Sequence, residues 1–91
     1  SIIHVHGESM EPTLRDGDEV LVDASDQGSR LRDGIYVLRV DDALVVKRVT
    51  IQPGGRQITI SSDNAAYPTW TDVERASIHV VGRVIWFGRS V

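Results

Sequence analysis

Only Asp41 and Asp42 separate two apolar runs, Ile35–Val40 and Ala43–Val49. A gap that short leaves no room for a crossover, so the runs are predicted to fold back on each other as a tight antiparallel hairpin, even though the glycine usual in such a turn is missing. Short apolar segments and turn formers alternate along the rest of the chain as well. Strands are predicted at Ile2–Val5, at Glu19–Asp23 after the turn Asp16-Gly17-Asp18, at Gln57–Ser61 after Pro53-Gly54-Gly55, and at Ile78–Phe87, the most apolar of them, with Gly82 at its centre. Within Gln57–Ser61, Ile58 and Ile60 share one face, opposite Gln57, Thr59 and Ser61. The polar stretch from Asp23 to Asp33 reads as a surface loop. Asp63 to Arg75 reads as irregular, with Pro68 and Trp70 packing over an edge. The expected fold is mostly β, a single compact domain of short antiparallel strands over residues 1–91.

The second strand of the hairpin also carries chemistry. Side chains along a strand alternate between its faces, so Ala43, Val45, Lys47, Val49 and Ile51 lie together and Lys47 is the only charge among them. An ammonium pressed against apolar surface loses hydration, which favours the neutral amine, and a neutral amine is a base. Such a base can take the proton of a serine hydroxyl, the task histidine performs in the familiar triad. Arg48 cannot, because a guanidinium stays protonated. Ser9, in the run Gly7-Glu8-Ser9-Met10-Glu11-Pro12-Thr13-Leu14, is the candidate hydroxyl. Each residue also has a plainer reading. A lysine in a half-buried strand can lay its methylenes on the apolar surface and keep its charge in water, and a serine ahead of Glu11-Pro12 can simply cap a turn.

Composition narrows the setting. With 91 residues, 41% of them hydrophobic, the chain can build one core, and self-association would reinforce so small a domain. There is no cysteine, so disulfides and thiolate metal sites are ruled out and a reducing, cytoplasmic location is expected. No apolar run is long enough to span a membrane. A net charge of −3 and ten scattered Lys and Arg argue against DNA binding by these residues themselves. His4, His6 and His79 lack a supporting carboxylate pattern, so neither a metal nor another cofactor is expected. Asp16, Asp18 and Asp23 read as turn formers. Ser62-Asp63-Asn64 can either line a cleft with polar side chains or form an Asx turn. Trp86 and Phe87, adjacent in a strand, should point to opposite faces and leave one aromatic outside, making the terminal strand a pairing surface.

The order and spacing of six blocks are what give these residues a context. Gly7–Leu14, Gly17–Asp23, Gly34–Arg39, Val45–Val49, Ser61–Asn64 with Tyr67-Pro68, and Val81–Trp86 together resemble the C-terminal peptidase domain of LexA-like and phage-type (cI-like) self-cleaving repressors, in the same broad superfamily as signal peptidases. The resemblance implies a β-fold of that kind, with Ser9 as nucleophile and Lys47 as general base. The backbone N–H groups of Ser9 and Met10 are the candidate oxyanion donors, and Gly7, Val45 and Ser62 are expected to line the cleft. It further implies cleavage of the protein's own N-terminal linker, a homodimer built through the C-terminal strand, DNA contact only through an N-terminal helix-turn-helix domain, and promotion of cleavage by a recombinase filament during DNA damage. One element of the pattern departs: residues 1–91 contain no Ala-Gly or Cys-Gly bond of the type such repressors cut. The chain, which starts at Ser1 without an initiator Met, is therefore expected to be a fragment separated from its substrate segment. The competing readings are a non-catalytic dimerisation module and a signal-peptidase-like processing protease, the latter requiring a membrane anchor upstream.

Overall fold

In the computed structural model, which describes residues 1–27 and 30–91, the chain forms one seven-stranded antiparallel sheet. The strands are β1 (Ile2–His4), β2 (Glu19–Asp23), β3 (Gly34–Val40), β4 (Ala43–Ile51), β5 (Gln57–Ser61), β6 (Trp70–Glu74) and β7 (His79–Gly88). Their order across the sheet is β1-β2-β7-β3-β4-β5-β6, so the C-terminal strand is inserted between β2 and β3, and β1 and β6 form the edges. A single 3-10 turn, Arg75–Ser77, interrupts this pattern among the described residues.

The predicted hairpin is the sheet's spine. β3 and β4 pair from Gly34↔Val49 to Val40↔Ala43, leaving Asp41 and Asp42 as a two-residue turn. Their φ values of 48° and 66° show how the turn closes without glycine: both aspartates adopt the left-handed conformation that a type I′ hairpin requires, a region aspartate tolerates better than most residues.

Alternation along the central strands gives the sheet two apolar faces. Tyr36 and Leu38 of β3 pack with Val49, Ile58, Ile60, Val80 and Leu31 on one side. Val37, between them, faces the other side and packs with Val20, Val22, Val5, Met10 and Leu14. The second cluster matters for function, because Met10 and Leu14, each 1% exposed, anchor the Ser9 segment in the core. Gly82 allows the close packing of β7 on β2: a Cβ there would lie 2.6 Å from the Asp23 carbonyl oxygen.

Three expectations need correction. Trp70–Glu74 is a strand, where irregular structure was expected; β6 is an edge in which only Val73 is partly covered, so no apolar alternation betrays it. Trp86 and Phe87 do not divide between inside and outside, since both are exposed, as is Ile85. The first strand ends at His4 rather than Val5, which leaves the strand to enter the core. Of the loop expected between Asp23 and Asp33, Gly28 and Ser29 lie outside the described residues; its Leu31 is buried in the first apolar cluster.

Candidate active site

The Ser9 segment is a series of tight turns between β1 and β2. Gly7 has φ +86°, a conformation open to glycine at little cost, and its N–H donates to Asp16 Oδ1 at 2.7 Å. Glu11 N–H donates to the Glu8 carbonyl at 3.1 Å and Leu14 N–H to the Met10 carbonyl at 2.9 Å. With Met10 and Leu14 buried beneath it, the half-buried Ser9 is held on a braced turn. Among the described residues, neither the Ser9 nor the Met10 N–H donates to a protein acceptor.

Lys47 lies mid-strand in β4, opposite Tyr36 of β3. On its face, Val45, Val49 and Ile51 belong to the first apolar cluster, as the alternation argument required. The lysine is half-buried, and loss of hydration holds its pKa below the usual 10.5. Its Nζ donates to Ser62 Oγ at 2.8 Å and lies 5.9 Å and 6.0 Å from the ring centroids of Tyr67 and Trp70.

Ser9 and Lys47 line the same cavity of about 380 Å³, together with Met10, Val45, Val46, Leu44 and Val37, and with Ile3, His4, Val5 and His6 at its β1 side. Of the residues expected to line the cleft, Val45 does so. Gly7 and Ser62 are not among the lining residues; Gly7 shapes the turn, and Ser62 reaches the site through the Lys47 amine.

The segment Ser62-Asp63-Asn64 ties the two halves of the site together. Asp63 accepts a bidentate bond from Arg48, at 2.7 Å from Nε and 2.9 Å from Nη2, and a further bond from Thr13 Oγ1 at 2.5 Å. Arg48 is the neighbour of Lys47, and Thr13 belongs to the Ser9 segment, so one carboxylate clamps strand to turn. The guanidinium beside it lowers the Asp63 pKa, and the carboxylate raises that of Arg48 in return. Asn64 completes the connection: its backbone N–H donates to the Ser9 carbonyl at 2.9 Å and its side-chain amide to the Glu8 carbonyl at 3.1 Å. Asn64 Oδ1 also accepts from Ala66 N–H at 3.0 Å, so this residue makes an Asx turn as well, whereas Asp63 is committed to Arg48 and Thr13. Thr13 and Arg48 were not singled out as site residues from sequence, and Asp63 was raised only within a polar triplet that could either line a cleft or form a turn.

A half-buried serine on a braced turn and a partly dehydrated lysine thus line one cavity of an antiparallel sheet. The chain belongs to the family described as Peptidase S24-like, whose pattern matches residues 1–85. It is similar to the 26 kDa repressor protein of Escherichia phage HK022, 37% identical over 86 residues that cover 92% of this chain and 35% of that protein. It is also similar to Repressor protein CI of Enterobacteria phage phi80, 34% identical over 89% of this chain and 33% of the relative. A third relative, an uncharacterized HTH-type transcriptional regulator of Haemophilus influenzae, is 31% identical over the whole of this chain and 38% of its own length. The chain thus spans roughly a third of the curated relatives it matches.

Proposed function

We propose that this chain is the C-terminal self-cleaving and dimerising domain of a helix-turn-helix repressor, in which Ser9 is the nucleophile and Lys47 the general base. The observation that carries the reading is the meeting of Ser9 and Lys47 on one cavity, with the amine partly withdrawn from water. Neutral Lys47 takes the Ser9 hydroxyl proton, and Oγ attacks the carbonyl carbon of a peptide bond in the protein's own N-terminal linker. The N–H groups of Ser9 and Met10 stabilise the resulting oxyanion, by about 3 kcal/mol for a donor of this kind. Protonated Lys47 then returns its proton to the departing amine, and water releases the acyl group from Ser9. Cutting the linker separates the dimerising domain from the DNA-binding domain and so relieves repression. Promotion by a recombinase filament during DNA damage and a cytoplasmic location belong to the same proposal, which draws support from the repressor and HTH-regulator names of the relatives.

Incubating the full-length protein at alkaline pH tests the chemistry. Two fragments are expected, formed faster as pH rises through the Lys47 pKa, which lies below 10.5. Ser9→Ala and Lys47→Ala should each slow cutting by at least about 10³-fold while leaving the circular dichroism spectrum unchanged. A rate that is flat between pH 6 and pH 10 removes Lys47 from the role of base. Unaltered cutting by Ser9→Ala removes the dyad altogether and leaves the dimerisation reading.

Dimerisation rests on a separate observation. Ile2, Leu21 and Trp86 stand in register across β1, β2 and β7, forming an apolar row with Ile2 60% and Trp86 55% exposed. Ile85 and Phe87, the neighbours of Trp86 in β7, are exposed as well. A second copy of the chain, pairing through this C-terminal strand, would cover it.

A further inference from the structure

The Lys47 amine has one fixed hydrogen-bond partner among the described residues. Ser62 Oγ accepts its hydrogen bond at 2.8 Å, and the backbone on either side of Ser62 is pinned. Ser61 closes the β5 ladder opposite Arg48. On the other side, Asp63 is bound to Arg48 and Thr13, and Asn64 to the Ser9 carbonyl. A short side chain between such anchors presents its oxygen at a nearly constant point. Lysine is the opposite case, a flexible four-carbon stem with many rotamers.

The other groups around the amine do not compete for it. The Tyr67 and Trp70 rings stand about 6 Å away. The hydroxyl of Tyr36, the cross-strand neighbour, donates to the Arg32 carbonyl and accepts from Arg83. Arg48 and Asp63 satisfy each other, and His4 and His6 are the remaining titratable groups on the cavity wall. Among the described residues, no carboxylate lines the cavity.

We propose that Ser62 is a positioning residue of the dyad, its hydroxyl oxygen holding the Lys47 amine at the cavity that Ser9 also lines. The proposal rests on the reading of Ser9 and Lys47 as nucleophile and base. Ser62 exchanges no proton in the reaction. It accepts an N–H of Lys47 in both charge states, while the transferred proton passes from Ser9 to Lys47 and on to the leaving amine. Holding the base converts a search among rotamers into a prepared contact. The bond is stronger to the ammonium than to the neutral amine, so it also opposes the dehydration that favours the neutral form.

The test compares full-length protein with its Ser62→Ala and Ser62→Thr forms, which share the same histidines and tyrosines, so that differences in pH response report on position 62. Self-cleavage is followed from pH 6 to 10.5, and the Lys47 amine is titrated separately by competitive acetylation with mass spectrometry. Ser62→Ala should lower the alkaline plateau rate by about tenfold and move both the rate midpoint and the amine's titration downward by about 0.5–1 unit. Ser62→Thr, which keeps the hydroxyl, should restore both. A uniform loss of rate with unmoved midpoint and amine titration would mean a structural role only, and overturns the proposal. So does wild-type behaviour of Ser62→Ala. Because the acetylation readout needs no cleavage, failure of the dyad reading, seen as Ser9→Ala still cutting, is distinguishable from failure of the Ser62 contact.

Discussion

Asp18 keeps its carboxylate where water barely reaches, at 1% exposure, yet it is fully bonded. Arg89 donates Nε to Oδ1 at 2.8 Å and Nη2 to Oδ2 at 2.7 Å, and Arg15 N–H adds a third bond at 2.8 Å. The Arg89 bonds outweigh the burial that opposes ionisation, and the pKa falls from 3.8 to about 2. A carboxylate with a depressed folded pKa contributes stability that is complete above its unfolded value and lost as pH falls through the folded one. The contribution of Asp18 should therefore disappear between about pH 4 and pH 2. Arg89→Ala leaves a buried charge without its main partner. Its urea midpoint should fall well below the parent's at pH 7, and the gap should close near pH 2. A gap that is constant with pH would show that Arg89 acts through packing alone. From sequence, Asp18 looked like an ordinary turn former, since its partner is 71 residues away. Lys47 was legible because its environment is local, written in the alternating valines of its own strand.

At the scale of elements, the β3–β4 hairpin was readable and β6 was not, for the same reason. Hairpin strands lie mid-sheet with apolar cover on both faces, so that Tyr36, Val37 and Leu38 are buried in succession and burial leaves a continuous apolar run in the sequence. β6 buries almost nothing, carries Asp72 at φ +57°, and is defined by hydrogen bonds to β5 rather than by side-chain pattern. The hairpin turn makes its own prediction. Asp42 sits at φ +66°, where a Cβ is unfavourable and glycine is at ease. Asp42→Gly should stabilise the protein by about 0.5 kcal/mol, the relief of left-handed strain less the entropy glycine adds to the unfolded chain. Chemical denaturation with an unchanged m-value is the measurement, and a loss of stability would mean that Asp42 does more than form the turn. The Ser62-Asp63-Asn64 segment was visible as a polar triplet but ambiguous, because neither reading offered from sequence could specify which distant groups it binds.

Across the whole molecule, the apolar row Ile2, Leu21 and Trp86 is the surface on which the proposed dimer rests. If a second copy covers it, Trp86→Glu should weaken self-association at least tenfold, about 1.4 kcal/mol or more for burying a charge where an aromatic anchor sat. Sedimentation velocity across a concentration series measures the change; equal dimerisation of parent and variant would place the interface elsewhere. The sequence by itself determined the strand-rich architecture, the hairpin, the face on which Lys47 lies and the identities of Ser9 and Lys47 as candidates, because alternation and turn chemistry are local properties. Only the tertiary structure decided that β7 enters between β2 and β3, that Arg89 closes on Asp18, and that Asp63 and Asn64 clamp the serine turn to the lysine strand. Those outcomes depend on pairs of groups far apart in the chain, whose meeting is set by the register of a folded sheet and leaves no periodic mark in the residues themselves.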